Sequence, residues 1–260
     1  MKNLNKFITE YIVKKKLDKF IDSEDHYEYF PKTKNELIYN INNLIKQNIY
    51  DFNCIDTSAI TDMSNLFDKI NIDRNFDISR WDVSNVTDMT HMFNRCKYFN
   101  CDLSNWNVRN VALMLGTFSR CENFEGKGLE KWDVSNIRRM SSMFNYCEKF
   151  DGKSIENWNI INVLSTRNMF YECKNLDCDL SNWNVNNVED MTRMFYDCKN
   201  FNCDLSNWNV SNVKDMSYMF HGCKKLNCDL SKWNVSNVRD TKYMFYSCNS
   251  LKNIPSWYKE

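Results

Sequence analysis

WNVSNVKDMSYMFHGCKKLNCDLSK, residues 208–232, is one instance of a unit that returns along most of the chain. Tryptophan recurs at Trp81, Trp106, Trp132, Trp158, Trp183, Trp208, Trp233 and Trp257, at steps of 24 to 26 residues. A fixed period of this size marks a stack of small supersecondary units, each packing on its neighbours. Counted from its tryptophan as position 1, each unit carries Val or Ile at positions 3 and 6, as in Val83 and Val86. Position 13 is always Phe: Phe93, Phe118, Phe144, Phe170, Phe195, Phe220 and Phe245. Apolar residues at positions 6, 9, 12, 13 and 16 have helical spacing, as in Val86, Met89, Met92, Phe93 and Cys96. Phe99, Cys101 and Leu103 then alternate with Asn100 and Asp102, which reads as a short half-buried strand. The expected fold is therefore an α/β repeat: a right-handed solenoid of about eight strand–helix units with an N-terminal helical cap.

Residues 1–54 form an N-terminal helical segment and cap in this reading, and 55–260 the repeat region with a C-terminal cap. Thr33 to Glu36 (TKNE) is a capping box opening a helix with Leu37, Ile41, Leu44 and Ile45 on one face. Residues 3–21 are a second amphipathic candidate, with Leu4, Phe7, Ile8, Tyr11 and Ile12. Its lysines, Lys2, Lys6, Lys14, Lys15, Lys16 and Lys19, read as a solvated face in preference to a membrane-surface helix. Two repeats are one residue longer, with FEGKGLEKW and FDGKSIENW in place of FNCDLSNW, and Gly126 and Gly152 are expected to absorb a bulge there.

Position 5 is Asn in every repeat: Asn85, Asn110, Asn136, Asn162, Asn187, Asn212 and Asn237. Each is read either as a helix N-cap, helped by Asp88, Asp190, Asp215 or Asp240 three residues on, or as a rung of an Asn ladder bonded to neighbouring backbone. Cys96, Cys121, Cys147, Cys173, Cys198, Cys223 and Cys248 share another column, among twelve cysteines in all. Stacked at the ~4.8 Å strand spacing, their side chains point alongside one another, so they read as buried free thiols and not a disulfide framework. Unpaired thiols suit a reducing compartment.

With 34 Lys and Arg against 34 Asp and Glu, no net positive field draws the chain to nucleic acid. No apolar run reaches transmembrane length and no secretory signal is visible, which reads as cytoplasmic. The three histidines (His26, His91, His221) share no zinc motif with cysteine pairs, and no phosphate loop or nucleophile elbow occurs. The expectation is a non-enzymatic protein without metal or cofactor. Its extended face would bind a protein partner, and the chain itself would be monomeric or weakly self-associating.

Two outward columns stand out. Positions 11 and 14, neighbours on a helix, become aromatic in the C-terminal half: Tyr171, Tyr196, Tyr218 with His221, and Tyr243 with Tyr246. Exposed Tyr gives large contact area at low entropic cost, so these are the candidate partner-binding residues. The second column, Asp102, Asp179, Asp204 and Asp229, reads as a solvated acidic edge, with cation collection as the alternative.

The strings NVTDMTHMF (Asn85–Phe93) and NVKDMSYMFHGC (Asn212–Cys223) resemble the BspA-like leucine-rich-repeat surface proteins, in their W-x-V-S-N-V-x-D-M-S-x-M-F-x-x-C-x-x-F variant. PKTKNELIYNI (Pro31–Ile41) and IDTSAITDMSNLF (Ile55–Phe67) are similar to that family's N-terminal cap, so the resemblance spans residues 31–257. It implies a leucine-rich-repeat solenoid on a bacterial cell surface and adhesion to host matrix or other cells, with no catalytic residues to carry over. The alternative is an intracellular interaction scaffold.

Overall fold

Phe93, Phe118, Phe144, Phe170, Phe195 and Phe220 are fully buried, and their rings stack in file. Successive centroids lie 5.3 Å (Phe93–Phe118), 5.6 Å (Phe170–Phe195) and 5.5 Å (Phe195–Phe220) apart. The computed structural model describes residues 27–68, 70 and 72–259. The expected helix of residues 3–21 lies outside them. Trp81, Trp106, Trp132, Trp158, Trp183, Trp208 and Trp233 form a second file on the same core. Each indole Nε1–H donates to a carbonyl one repeat back, as Trp208 does to Leu180 at 2.9 Å.

The backbone that carries these columns is not the expected one. Among the described residues the only α-helix is α1, Lys34–Lys46, and no strand is longer than an isolated bridge. The α/β reading of strand–helix units is thereby corrected: each repeat is a chain of tight turns. In the repeat beginning at Trp183, N–H groups bond to carbonyls three residues back: Val188 to Val185, Met194 to Met191, Tyr196 to Arg193, Cys198 to Phe195 and Phe201 to Cys198. Arg193 and Asp197 have φ of +54°, and the same two positions are left-handed in every complete repeat. A positive φ at the third residue of a four-residue turn is the type II signature. Turn after turn puts residues i and i+3 inside, and so imitates the apolar spacing of a helix.

The N–H groups that a helix would bond internally go to the neighbouring repeat instead. Met191 N–H donates to Asp215 C=O, Arg193 to Ser217, Phe195 to Met219 and Asp197 to His221, at 2.7 to 3.0 Å. One parallel bridge per repeat marks the register, from Asp62↔Asp88 to Asp215↔Asp240. Short polar side chains close the turns: Asp190 Oδ1 accepts from Thr192 N–H and Asp204 Oδ1 from Ser206 N–H, both at 2.9 Å. Such local bonds compete with helix formation.

Both readings of the Asn column can now be compared. No helix follows these residues, so they cap none. Asn187 Nδ2 donates to Ile161 C=O and Asn212 Nδ2 to Asn186 C=O, both at 2.7 Å, and the pattern runs from Asn85 to Asn237 as a ladder between repeats. The stretch Phe99–Leu103 keeps its alternation in burial, with Phe99, Cys101 and Leu103 inside, but forms no strand. The longer repeats carry 3-10 turns, Leu129–Lys131 and Lys153–Ile155, entered through Gly128 (φ +91°) and Gly152 (φ +85°) in place of a strand bulge.

Helix α1 packs Leu37, Ile41 and Leu44 into the same core. Thr33 Oγ1 accepts from Glu36 N–H at 3.2 Å, and the Glu36 carboxylate accepts from Lys32 N–H at 2.7 Å. Lys34 Nζ reaches the first repeat, meeting the Asp62 carboxylate at 2.7 Å and Ser64 C=O at 3.1 Å. No helix among the described residues is long and apolar enough to cross a membrane.

Candidate interaction surface

Where residues 9, 12, 13 and 16 of a repeat turn inward, residues 11, 14 and 15 turn outward. Stacking then aligns equivalent outward residues of successive repeats. Tyr171 and Tyr196 lie face to face with centroids 4.6 Å apart, Tyr196 and His221 at 4.4 Å, and His221 and Tyr246 at 5.0 Å. A parallel file at position 11 brings Tyr218 to 5.3 Å from Tyr243. The structure thus brings all six sequence-selected residues, Tyr171, Tyr196, Tyr218, His221, Tyr243 and Tyr246, into one stripe. Its C-terminal end is the more open, with Tyr246 54% and Tyr243 39% exposed.

Four further residues belong to the stripe. Tyr146 meets Tyr171 at 5.3 Å, and the Arg120 guanidinium sits 4.5 Å over the Tyr146 ring. Arg193 lies 4.9 Å over Tyr218, and Lys242 Nζ lies 5.1 Å over Tyr243. Helical geometry separates position 15 from position 14, so Tyr146 is lost to a helical reading. Two type II turns in succession place both outward. A shallow cleft of about 370 Å³ opens here, lined by Asn145, Tyr146, Asn168, Tyr171, Arg193, Tyr196 and Tyr218. Asn145 Oδ1 and His221 Nδ1, both shielded from solvent, have no hydrogen-bond partner among the described residues.

Electrostatically the rings are neutral. Burial, with the Tyr146 phenol beside it, pushes the Tyr171 phenol up to about 12. Burial raises Tyr196 and lowers His221, which keeps the imidazole uncharged at neutral pH. The charge on the surface is mixed: Arg120, Arg193 and Lys242 bring positive groups over the rings, and Glu172 and Asp197, at the outward position 15, bring carboxylates beside Tyr171, Tyr196 and His221. The arrangement can bind through ring edges, phenol hydroxyls and guanidinium donors. It offers no nucleophile with an adjacent base.

The acidic column has a different part. Asp102, Asp179, Asp204 and Asp229 each accept the N–H of the Ser two residues on, at 2.9 Å. Those backbone and hydroxyl bonds hold their carboxyls below the usual range. Cys203 Sγ also donates to Asp179 Oδ1 at 3.4 Å. These carboxylates close turns.

All twelve cysteines are free. Their main column is a hydrogen-bonded file: Cys121, Cys147, Cys173, Cys198, Cys223 and Cys248 donate S–H to the Phe carbonyl one repeat back, at 2.9 to 3.0 Å. Burial pushes the Cys96 thiol up to about 12 and raises Cys121, Cys173, Cys198 and Cys223 well above the ordinary value. No group of three or more His, Cys, Asp or Glu side chains among the described residues could hold a metal ion.

A family model described as "Mycoplasma protein of unknown function, DUF285" matches residues 35–154, 113–213 and 139–258. Successive overlapping matches are what a repeated unit produces, and the description gives neither an activity nor the BspA-like leucine-rich-repeat assignment. No curated protein and no solved structure matches the chain.

Proposed function

The chain belongs to the DUF285 family, and from that premise we propose that it is a non-enzymatic repeat protein that binds a protein partner through the aromatic stripe. The carrying observation is the continuous file Tyr146–Tyr171–Tyr196–His221–Tyr246, with centroid steps of 4.4 to 5.3 Å, flanked by Arg120, Arg193 and Lys242. Tyr and Arg are the residues that interfaces favour as anchors. Half-buried rings braced by their neighbours have little freedom left to lose on binding. The BspA-like resemblance makes surface adhesion to host matrix or cells the finer form of this reading.

The test is binding of the purified protein to immobilised matrix proteins and intact host cells, compared with a Tyr171→Ala/Tyr196→Ala variant. Loss of binding by about tenfold or more, with unfolding unchanged, supports the stripe. Equal binding by the folded variant removes it. The twelve free thiols favour a second reading, an intracellular scaffold. Protease shaving of intact source cells separates the two: loss of the chain from unbroken cells supports surface display, and protection until lysis supports the scaffold.

A further inference from the structure

Position 8 of a repeat closes a turn almost everywhere. Asp62, Asp88, Asp190, Asp215 and Asp240 each accept the N–H two residues on at 2.7 to 2.9 Å, and Ser165 Oγ does so at 3.3 Å. Leu113 and Arg139 break the pattern: neither side chain is an acceptor, so the N–H groups of Leu115 and Ser141 lose that bond. The core gains nothing in exchange, since Leu113 is half-buried and Arg139 exposed. A local rule broken without a compensating gain marks a functional place. The surrounding outward positions change with them. Residues 109–115 (RNVALML), 135–141 (SNIRRMS) and 161–167 (INVLSTR) hold four Arg and no acid. On either side, 84–90 (SNVTDMT) and 186–192 (NNVEDMT) carry Asp88, Glu189 and Asp190. Backbone pairing sets Ala112 and Leu164 on either side of Arg138, and Leu113 and Ser165 on either side of Arg139, one ~4.8 Å rung away. Positions 4 and 7 look the same way, as Ser236 and Arg239 do where they line one groove, so Ile161 joins Leu164, which is 50% exposed.

We propose that this patch binds a short acidic segment of a protein partner, its carboxylates on Arg138 and Arg139 and its apolar side chains on Leu113, Leu115, Ile161 and Leu164. Arg138 and Arg139 are exposed and make no ion pair among the described residues. The other two cations are answered in part: Asp133 feels the Arg109 charge, and Arg167 Nη1 lies 3.7 Å from Asp190 Oδ2. A free guanidinium fork matches a carboxylate with two parallel hydrogen bonds. Exposed apolar side chains beside it add contact area that the fold itself does not use. The neighbours set the size of the ligand. Asp88 on one side, and Glu189 with Asp190 on the other, bound the patch at three rungs, roughly 10 Å from first to last. An anionic bilayer or a polynucleotide running past those carboxylates would meet repulsion, whereas a short peptide would not. No residue of the patch belongs to the aromatic stripe, so either surface can fail without the other.

The other repeats supply the test substitutions. Leu113→Asp and Arg139→Asp put back the turn-closing residue of the other rungs, and Arg138→Glu copies Glu189 at position 7. The probe is a labelled, capped octapeptide alternating Leu and Glu, titrated with the whole protein and read by fluorescence polarisation, with a Leu/Lys octapeptide as control. Binding of the Leu/Glu peptide at about millimolar affinity or tighter, and none of the control, is expected. Each substitution should weaken that binding about tenfold or more. The two Asp variants should melt at the same temperature as the parent or higher, which loss of a structural contact would not give. Tyr171→Ala/Tyr196→Ala should leave the peptide's affinity unchanged. Absence of binding, equal binding of both peptides, parental affinity in folded Arg138→Glu, or loss of binding in the tyrosine variant overturns the proposal. Sedimentation with phosphatidylserine vesicles, abolished by Arg138→Glu and without peptide binding, overturns it in favour of a lipid surface.

Discussion

Phe195→Ala asks whether the stacked rings hold the repeats together. Phe195 is fully buried and its ring meets four others: Phe201 at 4.2 Å, Phe220 at 5.5 Å, Phe170 at 5.6 Å and Trp208 at 6.4 Å. A buried Phe removes about 150 to 250 Å² from water, worth about 4 to 6 kcal/mol at ~25 cal/mol per Å². Alanine keeps part of that area, while the cavity left among rigid neighbours adds a cost. The expected loss is about 3 to 5 kcal/mol. Urea unfolding followed by tryptophan fluorescence measures it, with Tyr246→Ala as the exposed control, expected to cost under about 1 kcal/mol. Because each repeat packs on its neighbours alone, hydrogen exchange should quicken most between residues 170 and 220. A loss below about 1 kcal/mol for Phe195→Ala, or a larger one for Tyr246→Ala, would refute the inside–outside assignment.

Other perturbations probe the links between repeats. Trp208→Phe keeps an aromatic ring but removes the indole N–H bonded to the Leu180 carbonyl at 2.9 Å; that carbonyl keeps the Trp183 N–H at 3.0 Å, so the melting temperature should fall by an amount equivalent to about 0.5 to 1.5 kcal/mol for the lost hydrogen bond. Gly128→Ala should cost more than about 2 kcal/mol, since φ is +91° and a Cβ would overlap the backbone of Leu103 and Ser104. Gly116→Ala, whose new Cβ would meet only the His91 side chain, should cost less by the same denaturation assay. Alkali should unfold the chain. The buried thiols stay protonated in the folded state at a pH where the unfolded chain has ionised, so the unfolded state binds fewer protons there. Stability is fully present below the unfolded thiol pKa near 9 and falls above it by about 1.4 kcal/mol per pH unit for each such thiol. Urea midpoints at pH 8 and pH 10 check this, and equal midpoints would argue against buried thiols.

The period, the Trp, Phe, Val and Cys columns and the outward Tyr files are legible in the sequence because burial repeats with the unit. The backbone is harder to read. Val86, Met89, Met92, Phe93 and Cys96 satisfy a helix and a run of type II turns equally, since both return a side chain to the core every three residues or so. What distinguishes them lies between the apolar positions. Asp88 stands two residues before Thr90, Asp190 before Thr192 and Asp215 before Ser217, each a turn closed by its own side chain. Gly116 and Gly222 mark the two left-handed positions that other repeats fill with His, Arg, Tyr, Ser, Asn, Asp or Glu. Those non-glycine residues hide the signal. They tolerate positive φ because bonds to both adjacent repeats hold the turn, a tertiary cause that one repeat read alone does not contain. Tyr146 was lost to the site for the same reason.

The ladders of Asn187, Trp208 and Cys198 each reach back by a single period and no further. A whole period can therefore be cut out or duplicated between equivalent residues, and the new junction reproduces the old one atom for atom. Helix α1, tied to the first repeat by Lys34, stands outside that scheme. Repeat number is then a nearly free variable, and recombination within the gene can lengthen or shorten the stripe while leaving α1 and its contacts untouched.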